Sequence, residues 1–77
     1  MNTIKETLDY ILKAIISESD QISTEEHQEG EMTIFEISAP TELVGRVIGK
    51  EGKIIKSIRT ILNLSFPQTR FLIKIKE

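Results

Sequence analysis

The run Val47-Ile48-Gly49-Lys50-Glu51-Gly52-Lys53-Ile54-Ile55-Lys56-Ser57-Ile58 constrains this chain more than any other stretch. Two glycines, three apart, separate a short apolar segment from a longer one with helical periodicity. Glycine lacks Cβ, so a loop bracketed by Gly49 and Gly52 can turn tightly and let another backbone approach. The helix that follows begins near Lys53. Its first N–H groups have no partner within the helix, and the positive end of its dipole faces the loop. A phosphate suits that position. Lys50 and Lys53 add charge at the same spot, so the stretch reads as a clamp for a phosphate backbone.

Apolar spacing organises the rest. Thr3 and Glu6 have the spacing of a capping box, which predicts a helix over 3–17. Ile4, Leu8, Ile11, Leu12, Ile15 and Ile16 form its apolar face. Its polar side carries acidic residues, so the stripe is expected to be core and not a membrane contact. Ser17-Glu18-Ser19-Asp20 breaks the pattern. Residues 21–28 read as a weak edge strand, Glu29-Gly30-Glu31 as a tight turn, and Met32–Ser38 as a strand with Thr33, Phe35 and Ile37 on one face. Pro40 ends that strand, having no N–H to donate. Thr41 is the candidate N-cap of a short helix reaching Ile48. Gly45 inside it costs about 1 kcal/mol of helix propensity. That cost suggests either close approach of a ligand or chain, or tight helix packing.

The second long helix is expected from Lys53 to about Leu64. Ile54, Ile55, Ile58, Ile61 and Leu62 lie on one face, and Lys53, Lys56 and Arg59 on the other. Ile58, Ile61 and Leu62 are expected in the core. Five large aliphatics exceed what burial in so small a protein requires, which suggests that part of the helix serves a partner chain. Pro67 stops it, and Thr69–Lys76 alternates as a half-buried strand, with Phe71, Ile73 and Ile75 inward. The order is α-β-β-α-α-β: an α+β domain with a three-stranded mixed sheet, the last strand parallel to its neighbour, and helices on one face.

The 77 residues make one domain, 1–77. Its core is modest, so pairing with another chain would add stability. There is no cysteine and a single histidine, His27. With no second strong nitrogen or sulfur ligand, His27 is read as a solvated strand residue and no metal or cofactor is expected. No apolar run reaches the roughly 20 residues of a membrane span, and no signal peptide is visible, so a cytoplasmic protein is expected. The net charge is −2, but residues 1–42 hold two basic and ten acidic residues, net −8, whereas residues 43–77 hold eight basic and two acidic, net +6. The basic half contains the glycine loop, and its charge forms either an electropositive binding surface or a solvated lysine-rich face.

The pattern V-I-G-K-x-G-x-x-I-x-x-I, here Val47 to Ile58, resembles the signature of K-homology (KH) domains, whose GxxG loop clamps about four nucleotides of single-stranded RNA or DNA. With its helix-first order, the chain looks most like type II KH domains, and among them the small stand-alone bacterial KhpA type. The resemblance covers nearly the whole chain. It implies a groove beside the loop, with Gly45, Val47, Ile48, Gly49, Lys50, Glu51, Gly52, Lys53, Ile54, Ile55 and Lys56 as contact residues. Ile34 or Ile37 would supply the far wall. Glu51 departs from the basic or small polar residues common at that loop position, and its carboxylate implies weak, low-specificity binding. The resemblance further implies homodimers, or complexes with a larger KH-containing Jag/KhpB-like partner. It also implies roles in RNA chaperoning, post-transcriptional control, cell shape and envelope homeostasis. A module used chiefly for dimerisation is the alternative reading. A nucleotide-binding P-loop is rejected: Gly45 and Gly49 have three residues between them, and Glu51 stands where the magnesium-binding hydroxyl belongs. Catalysis is not expected, since no acid–base pair clusters near the loop.

Overall fold

The computed structural model describes residues 3–76. Helix α1 spans Ile4–Ile15 and is capped as its sequence requires. The Thr3 side chain accepts the Glu6 N–H at 3.1 Å, and the Glu6 carboxylate accepts the Thr3 N–H at 2.8 Å. The helix stops two residues short of the expected end. Ile16 is already extended (φ −125°, ψ 116°), its N–H closing the last turn on the Leu12 carbonyl. Its side chain nevertheless stays in the core.

A 3-10 turn, Ser19–Gln21, leads to β1 (Ser23–Glu29), which pairs antiparallel with β2 (Met32–Ser38). The hairpin loop is Gly30-Glu31. Gly30 has φ +61°, the positive φ at the first loop position that a type II′ turn asks of a glycine. Helix α2 spans Thr41–Ile48, α3 spans Lys53–Ser65, and β3 spans Phe71–Lys76. β3 lies parallel to β2, so the sheet order is β1-β2-β3 with β2 central. The expected order and mixed sheet are therefore present, with both crossover helices and α1 over one face.

That face holds the core. Phe35, Ile37 and Ile73 of the sheet pack with Ile4, Leu8 and Leu12 of α1, Leu43 and Val47 of α2, and Ile58 and Leu62 of α3. Each such side chain contributes about 1.5–3 kcal/mol by leaving water. Two expectations need correction. Thr41 is the first helical residue of α2 and not its cap. Pro40 occupies the N-cap without a side-chain bond, and its carbonyl accepts the N–H groups of Leu43 and Val44 at 2.8 and 3.1 Å. Proline's fixed φ, here −59°, sets the chain up for the helix one residue earlier than the threonine signal suggests. Ile61 is not core but 45% exposed. It stands on the flank of α3 that faces α1, while its neighbour Leu62 turns to the sheet. Among the described residues no helix is long and apolar enough to cross a membrane.

Candidate nucleic-acid interface

The link between α2 and α3 is a tight turn, Lys50–Gly52. Three of the four residues from Gly49 to Gly52 have positive φ: Gly49 at 78°, Glu51 at 58° and Gly52 at 73°. The two glycines are needed for different reasons. Gly49 has ψ 173°, a region open essentially to glycine alone. It also sits hard against α3, where an added Cβ would lie 2.6 Å from Ile54 Cγ1. Gly52 is left-handed (ψ 17°) but uncrowded, since the nearest atom to an added Cβ is Lys56 Cε at 3.9 Å. Glu51 is, among the described residues, the one non-glycine with positive φ. An L-residue pays about 1–2 kcal/mol for that conformation. A carboxylate therefore stands on a left-handed backbone inside the turn.

The turn is closed from within. The Gly52 N–H donates to the Gly49 carbonyl at 3.1 Å, and the Lys53 N–H donates to the Lys50 carbonyl. Those two amides, expected to hold phosphate, are therefore occupied. The cations are not. Lys50, Lys53 and Lys56 are exposed, and none has an ion pair among the described residues. Gly52 caps α3 with no side-chain bond, so its positive dipole end opens towards these lysines.

The aliphatic residues expected beside the loop divide. Ile48 is half-buried at the surface, and Ile54 is 37% exposed. Ile55 is half-buried against the core. Val47 is fully buried and packs beneath α2, which removes it from any surface groove. The cause is the helix's orientation: Leu43, Val44 and Val47 face inward, leaving Thr41, Glu42, Gly45 and Arg46 outward. Of the two far-wall candidates, Ile37 lies wholly in the core. Ile34 points to the other side of the sheet, where it aligns with His27 and Leu72. Gly45 is resolved in favour of open space, because nothing lies within 4 Å of a Cβ added there. His27 lies on that outer sheet face, 3.8 Å from the Glu25 carboxylate.

The sequence reading missed Arg46. It follows Gly45 on the outer face of α2, and its Nη1 donates to both oxygens of Glu18 at 2.8 Å. The Ser17 hydroxyl bonded to Glu18, and then the Arg46 guanidinium, hold that carboxyl below its usual range against an opposing push from desolvation. The family model for the KhpA/KhpB KH domain matches residues 5–75. The chain belongs to this KH-domain family. Several relatives carry the name RNA-binding protein KhpA. That of Chlamydia pneumoniae is 39% identical over 59 residues, covering 77% of this chain and 76% of the relative. That of Thermotoga maritima is 37% identical over 60 residues, covering 78% and 80%. That of Treponema pallidum is 30% identical over 73 residues, covering 92% and 91%. No solved structure matches the chain. The match spans the Gly49–Gly52 turn between α2 and α3.

Proposed function

We propose that this chain binds single-stranded RNA through the Gly49–Gly52 turn. The observation that carries the reading is the turn itself. It is an exposed, glycine-dependent loop at the uncapped N-terminus of α3, ringed by Lys50, Lys53 and Lys56. The lysines hold phosphates, and Gly45, Ile48 and the exposed edge of Ile54 offer a small apolar floor for bases. With so little polar readout near the floor, binding is weak, low in sequence selectivity and open to single-stranded DNA. Such binding suits chaperoning or post-transcriptional control in the cytoplasm. The relatives' shared name, RNA-binding protein, supports the class, and a link to cell shape or envelope homeostasis rests on family resemblance alone.

A second reading accompanies the first because α1 and α3 leave an apolar cleft between them. It has a volume of about 320 Å³ and is lined by Ile11, Ile15, Ile54, Ile58 and Ile61, with Lys53 and Ser57 at its edge. Ile15, Ile54 and Ile61 are 49%, 37% and 45% exposed. A second copy of the chain, or a larger KH-containing protein of the KhpB kind, would cover it. The test of the main reading is a fluorescence-polarisation titration of labelled single-stranded RNA at low and moderate salt, comparing wild type with Lys50→Asp. Circular dichroism checks that the variant folds. Wild-type binding that weakens with salt and is lost in Lys50→Asp supports the clamp. Absence of binding by folded wild type refutes it and leaves the dimerisation module.

A further inference from the structure

We infer that Arg46 is a second phosphate contact, and that Glu18 is its built-in competitor: nucleic acid arriving at the loop takes the guanidinium from the carboxylate. The inference rests on the proposed RNA binding and adds to it a residue outside the Gly49–Gly52 turn.

The outer face of α2 runs through Glu42, Gly45 and Arg46 towards Gly49 and Lys50. Arg46 lies in the last turn of α2, and Lys50 opens the turn that follows Gly49. The two cations are close enough in the chain to follow one strand. Beside Arg46 the surface is open, because Gly45 presents no side chain and nothing stands over it. A strand held at Lys50 and laid over Gly45 passes the guanidinium.

The guanidinium is poised for exchange. Its bonds to Glu18 use Nη1 alone, and the side chain remains 57% exposed. Arginine has five N–H donors in a planar fork, so most of that fork is available to a phosphate. Glu18 reaches across from the α1–β1 connection, 28 residues away in sequence, although Glu42 stands one turn earlier on Arg46's own helix. Glu18 is itself 36% exposed, and the Ser17 hydroxyl bonds it from the side. An exposed ion pair of this kind is weak and readily displaced. A phosphate can take two nitrogens of the fork at once, and its binding releases a counterion from the nucleic acid. Lys50, Lys53 and Lys56 have no such carboxylate partner among the described residues, so Arg46 is distinguished from them by its competitor.

The test is a double-mutant cycle on full-length protein titrated with labelled single-stranded RNA across a salt series, with thermal melts as the folding control. Arg46→Gln is expected to weaken binding about two- to five-fold and to make the log–log salt slope shallower by about 0.7. Arg46→Lys keeps the slope that Arg46→Gln loses, a split that a merely structural role would not predict. Glu18→Gln is expected to tighten binding about two- to five-fold, with the slope unchanged. In the Arg46→Gln background the same Glu18→Gln change is expected to have almost no effect. Equal tightening in both backgrounds would mean that Glu18 acts as a general repulsive charge, and would overturn the exchange. So would an unchanged slope in Arg46→Gln. Lys50→Asp, run alongside, separates the two readings. If it binds like wild type while Arg46→Gln does not, the clamp falls and the Arg46 contact stands. If wild type binds no RNA, both fall.

Discussion

Alanine substitutions at Gly49, Gly52 and Gly45 test three different physical situations within eight residues. Gly49→Ala meets two penalties. Its φ 78°, ψ 173° lies in a region that costs an L-residue about 1–3 kcal/mol. Its new methyl would stand 2.6, 2.8 and 2.9 Å from Ile54 Cγ1, Cβ and Cδ1. Because one of those atoms is a Cβ, rotation of the isoleucine cannot relieve the overlap, and α3 must shift against the turn. Overpacking of that kind costs about 1–3 kcal/mol. The sum, roughly 2–6 kcal/mol, is a large part of the roughly 4–11 kcal/mol expected for a domain of this size. At about 4–8 °C per kcal/mol, the melting temperature should fall by more than about 10 °C. Gly52→Ala carries only the left-handed backbone cost of about 1–2 kcal/mol, for a fall of roughly 5–15 °C. Gly45→Ala, in an open helix position, should raise stability by up to about 1 kcal/mol. It should also weaken RNA binding, because the methyl enters the proposed floor. The assay is thermal circular dichroism at one fixed protein concentration, with Gly49→Ala also made on an Ile54→Ala background. There the overlaps with Cγ1 and Cδ1 vanish and only the one with Cβ stays, so the two changes together should cost less than their sum. If Gly49→Ala melts with Gly52→Ala, or if the double variant is additive, the contact between loop and α3 is not what holds Gly49.

Glu51→Asn should raise the melting temperature by a few degrees, since asparagine tolerates the left-handed region better. It should also tighten RNA binding at low salt by removing a carboxylate from the turn; an unchanged melt would refute the strain assigned to Glu51. Ile61→Lys should leave the monomer folded while shifting any self-association towards monomer in sedimentation experiments, and an unaltered dimer would place the interface elsewhere. The Glu18 carboxyl is held below its ordinary 4.5 in the folded state. Its stabilising contribution is therefore complete above that value and lost as pH falls through the lower folded one. The gap between the melting temperatures of wild type and Glu18→Gln should narrow as pH falls below 4.5. A gap independent of pH would show that the carboxylate's charge is not what stabilises.

The legible parts of the fold were those where one local signal decided. Thr3 and Glu6 announced the start of α1, Gly30 the hairpin turn, and the alternation of Phe71, Ile73 and Ile75 the inward side of β3. What periodicity did not reveal was which edge of an apolar helical stripe meets the sheet. Val47 and Ile61 are both aliphatic members of such stripes, yet packing buries the first and exposes the second. Ile37 could not be told from Ile34 as a groove wall, because a strand pattern names two faces without naming the one the helices cover, and both side chains are buried. The turn's position was readable from its glycines, whereas the left-handed backbone of Glu51 was not, since glutamate gives no sign of it. Arg46 carried no signal that set it apart from the other basic residues. Its significance depends on Glu18, which is distant in sequence and adjacent only after folding.

Strand β1 sits at the edge of the sheet, and its residues are almost all exposed. An open edge offers unpaired backbone groups to any passing strand, and small domains with little core are poorly defended against that kind of association. Here the edge displays Glu25, Glu26 and Glu29, so two copies meeting along β1 would bring carboxylate against carboxylate. The glutamates of β1 thus oppose the pairing of two copies through that edge.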